Sequence, residues 1–234
     1  MSSLDSLKIR EILAEGTVIQ AGTDVPVAIR IRKLGSESAT SVTVTTGTNI
    51  VLVGSTTTDT VTFATYTTYG AVVDQINTTG RWEAKILDAL RSTASVSTLV
   101  TGTITAGTDA NGVVVWDALQ DTSASLQIAV CLSSKRNFDS VNGHRVNLQQ
   151  VVYAVNMGSA AADSFQVWIR NSKGTETKVF GDLSVDTTAT TYSFALGFGK
   201  ITSKNDGEII VLVKDAATLA DATSNYVRAV GTIE

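Results

Sequence analysis

The sequence predicts an all-β chain, mainly strand with one short helix, arranged as two β-sandwich-like domains. Three observations predict it. About one residue in seven is threonine, whose branched Cβ suits a pleated strand and whose hydroxyl tolerates the wet face. Short runs of Val, Ile and Thr recur between clusters of Gly, Ser and Thr, which is the spacing of an all-β chain. A helical period is strongest in a single short stretch. Hydrophobic residues make up 43% and the mean hydropathy is +0.17, enough apolar surface to build a core. No fixed period of self-similarity marks a repeat array.

Residues 1–24 lead into the first clear alternation. Leu4, Leu7, Ile9, Ile12 and Leu13 fit a helical face loosely, ahead of Gly16 and Ala21-Gly22-Thr23. Either a short helix or an extended arm fits that pattern. From Val25, alternation sets in: Val27, Ile29 and Ile31 interleave with Ala28, Arg30 and Arg32. Strands at Ser41–Thr45, Asn49–Val53 and Thr60–Ala64 follow.

In Thr68–Asn77 the apolar residues Tyr69, Val72, Val73 and Ile76 fall at i, i+3, i+4 and i+7. Thr67 or Thr68 supplies a cap and Asn77-Thr-Thr-Gly80 a stop, so a short helix should pack one face on the sheet. Next, Trp82, Ala84 and Ile86 alternate with Glu83 and Lys85 as a strand would. The spacing of Trp82, Ile86 and Leu90 also permits a helix, so residues 81–90 stay open. Asp109-Ala-Asn-Gly112 is a turn before Val113–Trp116, and Leu126–Leu132 is an apolar strand. The polar segment 133–144 breaks the rhythm and marks a domain boundary, giving a β-rich domain at 25–135 and a C-terminal sandwich at 145–234. In the latter, strands are expected at Val146–Val155, Phe165–Arg170, Thr177–Phe180, Tyr192–Leu196, Ile209–Lys214 and Tyr226–Ile233. Phe165, Val167 and Ile169 should share a face. Asn171-Ser-Lys-Gly174 forms a hairpin turn, and Asn205-Asp-Gly207 supplies residues able to take positive φ.

Residues of catalysis are scarce: one His, one Cys and one Pro. His144 follows Asn142-Gly143 with no nucleophile elbow and no second His for zinc, and reads as a surface or strand-edge residue. Cys131 sits in an apolar strand as a small core residue, without a partner for an intrachain disulfide. Glu83 and Asp88 lie too near in sequence, with no aromatic cleft, to make a glycosidase pair. Asp109, Asp163, Asp182 and Asp186 lack EF-hand spacing and fit Asx turns. Gly197-Phe-Gly199-Lys200 lacks the phosphate-loop spacing and reads as a tight strand turn. Trp82, Trp116 and Trp168 each lie inside strand-like runs, where core packing is their expected role. The chain is therefore expected not to be an enzyme and to need no cofactor or metal.

A net charge of −4 and a pI near 5.0 argue against nucleic-acid and membrane partners. The basic patches Arg30-Ile31-Arg32-Lys33 and Lys135-Arg136 are short and read as solvated strand or loop charges. No apolar run reaches membrane-span length, and the first residues lack a signal peptide's apolar core. A reducing cytosol is the expected site of synthesis. Only 17% of residues are charged, so part of the surface is expected to be covered by another chain.

The run Thr60–Ser92, from Thr-Val-Thr-Phe-Ala through Gln75-Ile-Asn77 and Trp82-Glu-Ala to Asp88-Ala-Leu90, resembles a segment of tailed-bacteriophage virion proteins. There, a strand leads through a threonine cap into a short helix ending in Ile-Asn, followed by a Trp-x-Ala strand and an Asp-Ala-Leu-like tail. Its core is also similar to the Ile-Asn motif of flagellar hook and filament proteins. The resemblance implies a virion structural subunit with no catalytic residues to carry over. With a C-terminal sandwich and a possible arm, it points to a capsid decoration (cement) protein on the outside of a phage head. Leu4, Leu7, Ile9, Ile12 and Leu13 are then the candidate capsid-anchoring residues. The expected partners are the major capsid protein and further copies of the chain, as a homotrimer. The alternative is a tail component or receptor-binding adhesin that contacts a host glycan.

Overall fold

The computed structural model describes residues 17–23, 26–95, 98–121, 127–156, 163–185, 191–214 and 226–234. Val25–Ser125 forms one unit, and the chain before and after it forms a second. The described strands make four antiparallel four-stranded sheets, two in each unit. The fold is mainly β with one short helix among the described residues, as the sequence predicts.

The unit built from the flanking segments holds β1 (Thr17–Thr23), β10 (Gln127–Leu132), β11 (Val146–Asn156), β12 (Asp163–Arg170), β13 (Glu176–Val185), β14 (Thr191–Thr202), β15 (Glu208–Lys214) and β16 (Tyr226–Ile233). Its sheets run β1-β16-β11-β14 and β10-β15-β12-β13. Counted in chain order, those are strands 1-8-3-6 and 2-7-4-5 of an eight-stranded set. That interleaved order is the jelly roll, two Greek keys closed on each other. The other unit is inserted between the roll's first and second strands.

Two domain expectations change here. Residues 17–23 of the expected arm form β1, paired along its length with β16 from Thr17↔Ile233 to Thr23↔Val227. The boundary expected at 133–144 falls instead at Ser125/Leu126. The reason is the pairing of β10 with β15 from Gln127↔Lys214 to Leu132↔Ile209, which ties that strand to the jelly roll. The polar segment 133–144 is a loop within the roll, anchored by the fully buried Phe138.

Burial follows the sequence's apolar runs. Ala129–Leu132 and Ile209–Leu212 are buried without alternation, so both faces of this strand pair are covered. On β12, which pairs with β15 in unbroken register, Val167 is buried but Ile169 is only half-buried; the irregularities in its pairing with β13 place the extra residues, Val179 and Asp182, on β13. Gly197–Lys200 is not a turn. It lies inside β14, opposite an irregularity where Leu148 pairs with Ile201 but Gln150 pairs with Gly197.

The inserted unit contains β2 (Val27–Lys33), β3 (Ala39–Thr45), β4 (Asn49–Gly54), β5 (Thr58–Thr62), α1 (Tyr69–Thr78), β6 (Trp82–Ile86), β7 (Gly102–Ile104), β8 (Gly107–Thr108) and β9 (Val114–Leu119). Sheets β6-β2-β9-β8 and β5-β4-β3-β7 share one core with the helix. The Thr68 hydroxyl caps α1 by accepting the Ala71 N–H at 3.2 Å. Tyr69, Val72, Val73 and Ile76 are its buried face, as their spacing predicts, and Gly80 leaves the helix at φ +67°. The open segment 81–90 resolves as strand over Trp82–Ile86, with alternate residues buried. On the opposite face of β2, Arg30 and Arg32 pair across the strands with Asp117 and Glu83.

Candidate functional site

The five candidate anchors Leu4, Leu7, Ile9, Ile12 and Leu13 lie outside the described residues. The remaining residues weighed for chemistry mostly have structural work. Cys131 is buried in β10. Glu83 pairs with Arg32, whereas the buried Asp88 accepts the Val27 N–H at 3.3 Å, so each carboxylate has its own partner. Asp109 Oδ1 accepts the N–H groups of Asn111 and Val113 at 2.9 and 3.0 Å, an Asx turn. No group of three or more His, Cys, Asp or Glu side chains that could hold a metal occurs among the described residues. Trp82 and Trp116 are buried and meet edge to face, with ring centroids 6.0 Å apart. Trp168 is half-buried, with its indole N–H on Gln166 Oε1 at 2.8 Å.

In the inserted unit, polar side chains are spent on holding strand ends together. Glu37 Oε1 accepts the N–H groups of Thr56 and Thr57 at 2.7 and 2.9 Å, and both threonine hydroxyls donate to the carboxylate. Lys33 Nζ stands 3.1 Å from Glu37 Oε2 and 5.2 Å from the centre of the Trp82 ring. The Thr56 N–H, with Lys33 and the threonine hydroxyls, outweighs desolvation and pushes the Glu37 pKa down to about 2. Asp59 accepts from Arg81 and from the Trp82 indole, and the Arg81 hydrogen bond holds its carboxyl below the usual range. A cleft of about 630 Å³ opens beside Trp116, walled by Ser38–Ser41 and Thr103–Ala106. Lys33, Val113 and Val114 also line it, and the Lys33 ammonium is already engaged by Glu37.

The more distinctive cleft belongs to the jelly roll and escaped the sequence reading. It has a volume of about 680 Å³, and its lining includes Arg145, Asn171, Lys173, Lys204 and Asn205. Three connections supply them: the β10–β11 loop, the β12–β13 hairpin and the β14–β15 turn. Below, Arg170 at the end of β12 sits opposite Glu176 and Glu208, the first residues of β13 and β15. Its Nε lies 2.9 Å from Glu176 and its Nη1 2.8 Å from Glu208. Burial works against the charge of this guanidinium, yet Glu208 and Glu176 hold its pKa above the ordinary value. The triad locks the three strand ends from which two of the loops spring.

The loops are stiffened by their own turn chemistry. Asn171 Oδ1 accepts the N–H groups of Lys173 and Thr175, both at 2.9 Å, and Gly174 takes φ +81°. Asp206 takes φ +58°, and its carboxylate receives the Gly143 N–H at 2.7 Å and Lys135 at 3.3 Å. Arg145 exchanges both backbone hydrogen bonds with Glu234, and its Nε donates to Asn205 Oδ1 at 2.8 Å. His144, at the head of this stretch, accepts the Asp206 N–H on its backbone oxygen at 2.7 Å.

No family model matches the chain, and no curated protein matches it in sequence. Similar solved structures include an aminopeptidase from a marine sediment archaeon, Thaumarchaeota archaeon, at 12% identity and TM-score 0.26. That match covers 46% of this chain and 24% of the aminopeptidase, so the chain spans about a quarter of that protein's length. The Yersinia pseudotuberculosis-derived mitogen matches at 9% identity and TM-score 0.21, over 46% of this chain and 77% of its own. Infectious bursal disease virus, Gx strain, matches at 11% identity and TM-score 0.20, over 97% of this chain and 63% of its own. At these scores the likenesses carry no argument about fold or function.

Proposed function

We propose that this protein is a virion structural subunit of a tailed phage, a capsid decoration (cement) protein that binds the outside of the head and stabilises it through protein–protein contacts. The observation that carries this reading is the jelly-roll strand order of the flanking unit, with a second sandwich inserted between its first two strands. Jelly rolls occur in viral capsid, lectin and cupin domains, so the support this fold gives to a capsid role is fold-level analogy. The Thr60–Ser92 segment, whose likeness is to phage virion proteins, lies wholly in the inserted sandwich. Its strand, threonine cap, helix and following strand form one continuous piece of that unit's core. The proposed partners are the major capsid protein and two further copies of the chain.

Cryo-electron microscopy of native particles tests the proposal directly. The expected result is density for a jelly roll and its inserted sandwich at symmetric positions outside the head. Density in the tail or baseplate instead would overturn the decoration role. Light scattering of the purified chain reads its self-association, with a trimer expected. Removing residues 1–16 spares β1, so the truncated chain should keep its melting midpoint and lose occupancy on particles if Leu4, Leu7, Ile9, Ile12 and Leu13 are anchors. Undiminished occupancy would remove their anchoring role.

A further inference from the structure

We propose that the jelly-roll cleft bounded by Arg145, Lys173 and Lys204 is a binding site for an oxyanion group of the phosphate or sulfate type carried on a small ligand. The inference is independent of the virion reading, because it rests on the hydrogen-bonding capacity that the cleft leaves unused.

That capacity is cationic and made of donors. Among the described residues, no carboxylate pairs with Arg145, Lys173 or Lys204. The two asparagine side-chain oxygens are consumed, Asn171 Oδ1 by two backbone N–H groups and Asn205 Oδ1 by the Arg145 Nε. Those donors fix the orientation of both amides, so each leaves an NH₂ group without an acceptor among the described residues. The Ser203 hydroxyl proton is already used, donated to the Lys204 carbonyl while its oxygen receives the Val146 N–H. Of the nearby acids, Asp206 is engaged by Lys135 and the Gly143 N–H, and Glu176 and Glu208 by Arg170, while Glu234 lies directly across from Arg145 in the backbone pairing. The described lining of the cleft thus carries three cationic side chains and no carboxylate.

The volume of the cleft suits a small ligand. A volume of about 680 Å³ falls inside the range of small-molecule sites, roughly 300–1,000 Å³. The walls are two short turns, 171–175 and 203–207, and the end of the longer β10–β11 loop, and hydrogen bonds within and between them fix the backbone before a ligand binds. Among the described residues no aromatic ring lines the cleft, which leaves a neutral sugar without a stacking face there. Arg145, with Nε already fixed, retains its terminal nitrogens for a tetrahedral oxyanion, and two lysines supply point charges.

Calorimetric titration of the full chain at low ionic strength with sodium phosphate, sodium sulfate, glucose 6-phosphate and glucose is the test. Saturable binding of the three anions and none of glucose is expected, weakening as sodium chloride is added. The double variant Lys173→Gln/Lys204→Gln should weaken it by about tenfold or more, and Arg145→Lys should weaken it separately. Melting midpoints should stay unchanged, because Arg145, Lys173 and Lys204 are exposed. Tighter binding of glucose 6-phosphate than of free phosphate would place the ligand among phosphorylated sugars, and equal binding would place recognition in the oxyanion alone. Absence of saturable binding, equal affinity in the variants, or binding only to an acidic peptide or an oligonucleotide would overturn the proposal.

Discussion

Single side chains in this protein act as connectors where the backbone cannot complete its own pairing. Asn77 does so at the end of α1: its Oδ1 accepts the Ala84 N–H at 2.7 Å and its Nδ2 donates to the Ala84 carbonyl at 3.1 Å. The side-chain amide thereby imitates one residue of a neighbouring strand beside β6. Asn77→Ala should destabilise the inserted unit by about 1–3 kcal/mol in urea unfolding, since both Ala84 groups lose their partner. An unchanged urea midpoint would mean that water replaces the amide without loss. Glu37 is the second connector, and its effect should depend on pH. Its folded pKa, about 2, lies below the ordinary 4.5. The stabilisation is therefore fully present above pH 4.5 and lost as pH falls through about 2. Glu37→Gln should lower the melting midpoint at pH 7, and its gap from the native chain should close over that window. A gap that persists unchanged at pH 2 would show that the carboxylate's charge contributes nothing. Neither connector was legible as such in the sequence. The local pattern marks Asn77 only as part of a helix stop, and nothing local marks Glu37, because its partners Thr56 and Thr57 lie in a different loop.

At the level of elements, legibility followed locality. Helix α1 could be read almost residue by residue, since its cap, apolar face and stop all lie within one short window. The strand positions were also largely readable, because alternation and turn residues are local properties. Irregularities were not. Gly197–Lys200 carries turn-like glycines, but its place inside β14 depends on pairing with β11, far back in the chain. The loop cleft was hidden for the same reason: its residues come from three connections that only the jelly-roll topology brings together. The Arg170 triad is what fixes the strand ends beneath that cleft. Arg170→Ala would leave Glu176 and Glu208 as poorly hydrated like charges, with side chains only 9% and 15% exposed. A loss of about 3–5 kcal/mol is expected from chemical denaturation, the range for removing one partner of a buried ion pair. A loss under about 1 kcal/mol would reduce the triad to the weight of a surface pair.

Over the whole molecule, the least legible fact is that the first described strand belongs with the last. Period-two alternation tells which side of a strand is apolar but not which strand it joins, and the β1–β16 pairing spans nearly the entire chain. Local pattern therefore suggests a division after 135, whereas the chain is a jelly roll interrupted by an insertion. The inserted unit has what an independent domain needs. Its two sheets and helix share a core that includes Ile29, Leu52, Tyr69, Trp82 and Trp116. Its entry and exit are joined, because Gln120 donates its N–H to the Pro26 carbonyl at 2.9 Å. A segment of this length can bury enough apolar surface to fold by itself. Residues 25–125, produced alone, should therefore show β-rich circular dichroism and one cooperative thermal transition. The Trp82–Trp116 pair supplies a near-ultraviolet signal of native packing, and Trp82→Phe should diminish it in the isolated segment and in the full chain alike. An isolated segment with no cooperative transition would show that its core depends on the flanking jelly roll, and the division at Asp24/Val25 and Ser125/Leu126 would then describe chain layout without describing folding units.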